Sequence, residues 1–554
     1  MKNMKKFFAL LLVLVTVLSL TACGGSNNGG GGNDGGSGGD GGNGGGDTPA
    51  PAVKTVKFNT GFDPDTFDPQ ECNVMENNLV NNQIYDYLYR ENLNGEFVPS
   101  LATGYELDET NTVYTFTLRD GIKFQDGSPI KASDVAYSYI RALDPANAFE
   151  YAYQLYYIKN GEAFNAGECS ADEVGIKVLS DNQIEITLER PTPYFVSLTG
   201  FGTYGIVSEE FAKKQADYGA DVDSTLASGP FKVVEWNRGQ YVRYEKNENY
   251  WDAANVNIDE LYFYCVSETS TELTMFETGG LDMTYMSFTA ADTVRLKDQL
   301  KYWPSLNTRY LMVNNEKGVM QDPKVRKALS LALDRKTLGE QVVMNCTPST
   351  GFIPNDMSAV DDPSKLFRKQ DLLDVNPHVE EAQALLAEAG FPDGAGFPTD
   401  ISIVYTTGEA NKAIAEAIVE MWRVNLGITI KAENLEGTVR RDRKNSGDFY
   451  ISLDGWSTDY MDPFSFMEIM LTGNIYNNGR VSIPEYDRLV NIAAGSMDQA
   501  ERETAMEEAE KVLMDEMGCI PLYNSIKAYV VNPQLTDVVM SKMGTIDFKW
   551  ADLK

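Results

Sequence analysis

Ile401-Ser-Ile-Val-Tyr405, then a stretch carrying Ile414, Ile418 and Met421 at i, i+4 and i+7, then Gly427 and Ile428-Thr-Ile-Lys-Ala432, together decide the fold. The two β-branched runs read as strands, and the stripe between them reads as an amphipathic helix ended by glycine. A strand–helix–strand unit places its strands parallel, joined by a right-handed crossover. Phe449-Tyr-Ile-Ser-Leu453 is a further strand that runs into the loop Gly455-Trp456-Ser457-Thr458-Asp459-Tyr460-Met461-Asp462-Pro463. Open α/β sheets bind ligands beyond the carboxyl ends of their strands, so a site is sought in that loop.

The same reading extends outward. Val113–Leu118 alternates, which puts Tyr114, Phe116 and Leu118 on one face of a half-buried strand. Val135, Tyr139 and Ala142 recur at helical spacing. Asp322 as N-cap and Pro323 at the first helical position open a helix whose core stripe is Val325, Ala328, Leu329, Ala332 and Leu333. A third helix runs from Asn376-Pro377 through Ala382, Leu385 and Leu386 to Gly390. With 554 residues, 43 % of them apolar, the chain has core material for two or three lobes.

The formal charge of −34 repels nucleic acid and anionic lipid and favours ligands that carry ammonium or guanidinium groups. One histidine, His378, excludes sites built on several imidazoles, and its place at a helix start makes it a surface or capping residue. No metal and no cofactor is expected. Residues 1–23 have the form of a signal peptide: Lys2, Lys5 and Lys6, then the mainly apolar Phe7–Leu20, too short to span a bilayer. Leu20-Thr-Ala-Cys23-Gly24 resembles a bacterial lipobox, which implies cleavage before Cys23 and diacylglycerol on its thiol. Residues 24–52 form a tether: 15 of the first 24 are glycine, and the segment cannot bury enough surface to offset the entropy of ordering. The five later cysteines are widely spaced and read as buried, unpaired thiols. Gly200-Phe-Gly-Thr-Tyr-Gly205 fits GxGxxG, but Pro191 and Pro193 break the segment before it and no helix opens on its last glycine, so nucleotide binding is rejected.

Five stretches in order carry a resemblance: Pro99–Tyr105 with Tyr114–Gly127; Ser228-Gly-Pro-Phe231 through Asn249-Tyr-Trp251; Asn314-Asn315 with Asp322–Ala328 and Leu333-Asp-Arg335; Glu381–Phe391; and Trp456–Pro463. They resemble the extracytoplasmic solute-binding proteins of peptide ABC importers, the oligopeptide- and dipeptide-binding family (bacterial family 5). The resemblance implies an α/β, periplasmic-binding-protein type II-like fold with two lobes around a ligand cleft and an extra inserted domain. Lobe I would be discontinuous (53–91, 205–312 and 524–554), lobe II would be the insertion 92–204, and lobe III would be 313–523. It implies a membrane-tethered receptor, not an enzyme, on the outer face of the cell membrane. Such a receptor is a monomer that hands peptides to ABC permease subunits with separate ATPases. It also implies that Asp459 pairs with the peptide's α-ammonium; on the residues alone, Asp459 equally suits capping the turn toward Pro463. Trp456 would be a pocket wall, Gly455 and Ser457 would offer backbone groups, and Tyr460, Met75, Met286 and Tyr523 would line the cleft. Two departures stand out: Ser457 replaces a cysteine that forms a disulfide in some oligopeptide receptors, and Leu453 replaces an arginine found near charged ligand groups. Rival readings keep the fold but change the ligand to a sugar, haem or metal complex, or make the chain a peptide sensor not coupled to transport.

Overall fold

The computed structural model describes residues 53–554 apart from 73, 74, 286–289 and 363. The leader, Cys23 and the tether, as well as Met286, lie outside the described residues. The backbone of the folded part is one long curved sheet. From one end its strands run Lys431–Leu435, Ser402–Thr406, Ile451–Ser457, Asn307–Val313, Cys519–Val531, Met283–Tyr285, Thr55–Asn59, Glu260–Tyr264, Tyr241–Lys246 and Phe231–Asn237. A separate four-stranded antiparallel sheet, Ala102–Leu107, Val113–Leu118, Gln183–Thr187 and Ile176–Ser180, packs with the helix Ala132–Leu143.

The strand–helix–strand unit forms as its pattern dictates. Ser402–Thr406 and Lys431–Leu435 pair in parallel across the helix Glu409–Leu426, and Gly427 ends that helix with a left-handed φ of +68°. The second strand begins three residues later than the β-branched run suggests, because Ile428 and Ile430 are spent plugging the core on the way into it. The helix buries Ile414, Ala415, Ile418, Trp422 and Leu426, so Trp422 takes the core place the spacing assigned to Met421. Trp422 is fully enclosed and donates its Nε1–H to Leu329 O at 2.8 Å. Under the same half of the sheet lie Leu311, Val313, Ile403, Ile451, Leu453 and the stripe of the helix Pro323–Leu331, opened by Asp322 as expected. A second core holds Val56, Phe58, Phe231, Val242, Leu261 and Phe263 beneath the other half.

Only short connections carry the chain between the halves. Cys519–Val531 is 13 residues long; Cys519–Tyr523 pairs with Asn307–Val313, while Ile526–Val530 pairs with Leu300–Pro304. The other passage is the turn from Pro304 to Asn307. The helix expected from Asn376 begins at Val379, after His378 in the N-cap place. Cys169, Cys265, Cys346 and Cys519 form no disulfide, and three of these four are half-buried rather than buried, which corrects the expectation for them. No helix among the described residues is long and apolar enough to cross a membrane.

Candidate functional site

The strand Ile451–Ser457 is held on both sides, parallel to Ser402–Thr406 and antiparallel to Asn307–Val313. It extends through Gly455, Trp456 and Ser457, which the sequence reading placed in the loop; the ladder to Asn307–Arg309 keeps them extended. Beyond it the loop is pinned tightly. Thr458 N–H donates to Leu306 O at 2.9 Å and the Thr458 hydroxyl donates to Tyr460 O. Asp462 accepts from Phe464 N–H at 2.9 Å, capping the turn after Pro463, and pairs with the buried Arg502 at 2.9 Å. Turn capping here is done by Asp462, and the Asp459 carboxyl is met by the Gln154 amide rather than by a cation.

Asp459 donates its own N–H to Ser465 Oγ at 3.1 Å, which fixes its backbone, and its carboxylate makes no ion pair among the described residues. Burial pushes that carboxyl up to about 6, partly offset by the nearby Gln154 amide. Gln154 is buried, with its amide between the Asp459 carboxyl and the Tyr153 hydroxyl. Tyr153 and Tyr476 stand close enough for the Asp459 charge to push their hydroxyls up, after burial itself. The surroundings are therefore phenols, an amide and the Glu468 carboxyl, with no ion-paired cation supplied by the described residues. A desolvated carboxylate in such a place favours a positively charged visitor.

Trp456 is half-buried, its ring 5.2 Å from that of Tyr476, and its Nε1–H is enclosed without an acceptor. Tyr460 is buried; it stacks on Tyr194 with centroids 4.3 Å apart and donates to Glu468 Oε1 at 2.6 Å. Burial pushes Glu468 up to about 7, and the neighbouring Asp459 charge adds to this. Gly455 lies against Arg309: a Cβ there would stand 2.9 Å from Arg309 Cδ, so only glycine fits without displacing the arginine. Tyr523 is buried and pairs across the ladder with Arg309. Ser457 is exposed at the strand end. Met75 begins the helix Met75–Asn81.

Asp459, Trp456, Gly455 and Tyr523 thus gather at the outlet of three adjacent strands, while Tyr460 faces inward and fastens the loop. Sequence reading did not single out Tyr153, Gln154, Glu468, Tyr476 or Arg309. The first two come from a segment some 300 residues upstream, and no spacing rule links them to the loop.

Residues 96–478 match the family described as bacterial extracellular solute-binding proteins, family 5 (middle region). The chain is 32 % identical to the oligopeptide-binding protein OppA of Bacillus subtilis (strain 168), over 99 % of this chain and 100 % of that one. Its structure is similar to that of MppA, a periplasmic murein tripeptide binding protein, in an unliganded open form, with TM-score 0.78, 26 % identity and coverage of 90 % and 97 %. It is also similar to Listeria monocytogenes OppA bound to peptide, with TM-score 0.71, 27 % identity and coverage of 91 % and 99 %. The fold is the expected α/β, periplasmic-binding-protein type II-like one.

Proposed function

The chain belongs to the bacterial extracellular solute-binding proteins of family 5, and on that premise we propose that it captures peptides between two lobes for delivery to an ABC-type permease. The observation that carries this reading is the Asp459 carboxylate, desolvated and without a cation on a rigid loop at the strand outlet. A peptide's α-ammonium supplies the missing charge in a charge-assisted pair strengthened as water leaves the cleft. Trp456 walls the site, and Gly455 and Ser457 offer main-chain groups, so an extended peptide is held largely through its backbone. Tyr523 completes the lining.

Lobe I comprises 53–91, 205–312 and 524–554, lobe II 92–204 and lobe III 313–523. The two short passages between the halves of the sheet suit hinge closure, which small-angle scattering with and without peptide would register as a more compact bound form. An unchanged profile at saturating peptide would contradict closure. Cys23 carries the lipid that tethers a monomeric receptor to the outer face of the membrane. Replacing it with alanine abolishes acylation; a variant that is still acylated would refute the anchor.

Native mass spectrometry of the folded part purified from cells tests the function itself. A ladder of co-purified peptides is expected. Retention of a sugar, haem or metal complex instead, with no peptide binding on titration, would overturn the reading.

A further inference from the structure

Arg309 stands in the strand Asn307–Val313, directly between Gly455 on one neighbouring strand and Tyr523 on the other. Directly opposed residues of antiparallel strands project to the same face, so glycine, guanidinium and phenol form one row across three strands. The arginine stem lies close over Gly455, with Cδ and Nη1 2.9 and 3.1 Å from where a Cβ would be. Its Nη2 donates to the neutral Asn411 Oδ1 at 3.2 Å, in the first turn of the helix Glu409–Leu426, and its charge reaches the Tyr523 hydroxyl. No Asp or Glu among the described residues lies within ion-pair distance of it.

This sets Arg309 apart from the other buried arginines. Arg90, Arg368, Arg440 and Arg502 each pair with a carboxylate. Arg326 and Arg335 spread their donors over backbone carbonyls and a serine hydroxyl. The chain carries 81 acidic residues against 47 basic ones, yet no carboxylate among the described residues pairs with this half-buried cation at the strand outlet. A guanidinium presents five donors in a fork that matches a carboxylate, and here the partners of that fork are the neutral Asn411 amide and Tyr523 hydroxyl.

We propose that Arg309 is the site's carboxylate-binding residue, so that the cleft holds its ligand as a dipole with the ammonium on Asp459 and a carboxylate on Arg309. The inference rests on the peptide-receptor reading and deepens it. Asp459 follows Gly455 by four residues and Arg309 sits one strand spacing away, so the two anchors are within about 20 Å along the backbone. A peptide of up to about five residues spans that distance when extended. The carboxylate is either the peptide's own C-terminus or an acidic side chain.

Calorimetric titration of the folded protein with Ala-Ala-Ala-Ala, its C-terminal amide, and Ala-Ala-Glu-Ala amide separates these sources. Wild-type protein is expected to bind at least one carboxylate-bearing peptide ten- to a hundredfold more tightly than the Ala-Ala-Ala-Ala amide. The Arg309→Gln variant is expected to shrink that difference to less than about threefold, whatever it does to the affinity for the amide, and Arg309→Lys to restore part of it. Preference for the free C-terminus assigns Arg309 to the peptide end, and preference for the glutamate assigns it to a side chain. Equal binding of all three peptides by wild-type protein would overturn the role of Arg309 and leave the peptide receptor standing. So would an equal loss for all three in Arg309→Gln. Absence of binding for every peptide, with wild-type protein that is folded by circular dichroism, would overturn the peptide reading and this inference with it.

Discussion

Asp454 and Asp459 are five residues apart on one segment, both largely desolvated, and they are held in opposite ways. Burial pushes Asp454 up, but Lys444 and Arg440 at 3.0 and 3.1 Å, with Ser452, more than offset this and leave it below the usual carboxylate range. Asp459 is also desolvated but has no ion-paired cation among the described residues, and burial holds it near 6. One carboxylate is part of the scaffold; the other has its counter-charge still to come. A buried charge left uncompensated costs stability, and that cost makes Asp459 the candidate for the ligand contact proposed above.

The largest expected effect falls on the paired member. Asp454→Asn leaves Lys444 and Arg440 facing each other without a carboxylate, and should lower stability by about 2–4 kcal/mol at pH 7, read by urea unfolding. A loss below half a kcal/mol would break the contrast. For a depressed carboxyl the stabilisation is present above the unfolded value near 4 and lost as pH falls through the folded one, so the variant's deficit should shrink in acid.

Asp459→Asn should act with the opposite sign. A carboxyl raised to about 6 gives stability that is present below the unfolded value near 4 and lost as pH rises through 6. Removing the charge should therefore raise the melting temperature of the ligand-free protein at pH 7, by about 1–2 kcal/mol of stability once partial solvent access is allowed for. The gain should vanish near pH 4. A destabilised variant at pH 7 would show that Asp459 is structurally paired after all.

Peptide affinity should fall on acidification below about pH 6, approaching tenfold per pH unit, as Asp459 takes up a proton. Glu468, near 7 and coupled to Asp459, adds a shallower slope above it. Glu468→Gln should remove the shallow part alone, and Asp459→Asn the steep part. A flat profile in wild-type protein would contradict the pairing.

The smallest effect is expected at Trp456, whose Nε1–H has no acceptor. Trp456→Phe keeps the ring and drops the donor, so peptide affinity should fall by about three- to tenfold with stability unchanged. A stability loss without an affinity loss would make Trp456 a packing residue.

Local pattern revealed the scaffold: alternation in Val113–Leu118, the Asp322-Pro323 start and the parallel pair around Glu409–Leu426 all follow from periodicity and caps. It failed at edges where tertiary pairing overrides propensity. Gly455-Trp456-Ser457 has turn-like composition and is extended because Asn307–Arg309 pairs with it. The loop of Asp459 was legible because it follows a strand, but the lack of an ion-paired cation beside it was not. That property depends on Tyr153, Gln154 and Tyr476 arriving from elsewhere, and on Arg440 and Lys444 reaching Asp454 instead. Arg309 escaped notice for the same reason, since an arginine in a strand signals nothing until its lack of a carboxylate is seen in space.

If Asp459 holds the ligand's α-ammonium, the two charges act as one interacting pair. A double-mutant cycle by calorimetry tests it, crossing Asp459→Asn with N-acetylation of the peptide. Either change alone should weaken binding by about 2–5 kcal/mol, and both together should cost little more than one. A coupling above about 1.5 kcal/mol is the predicted result. Full additivity would contradict a direct pair and leave the Asp459 carboxylate without a role in ligand binding.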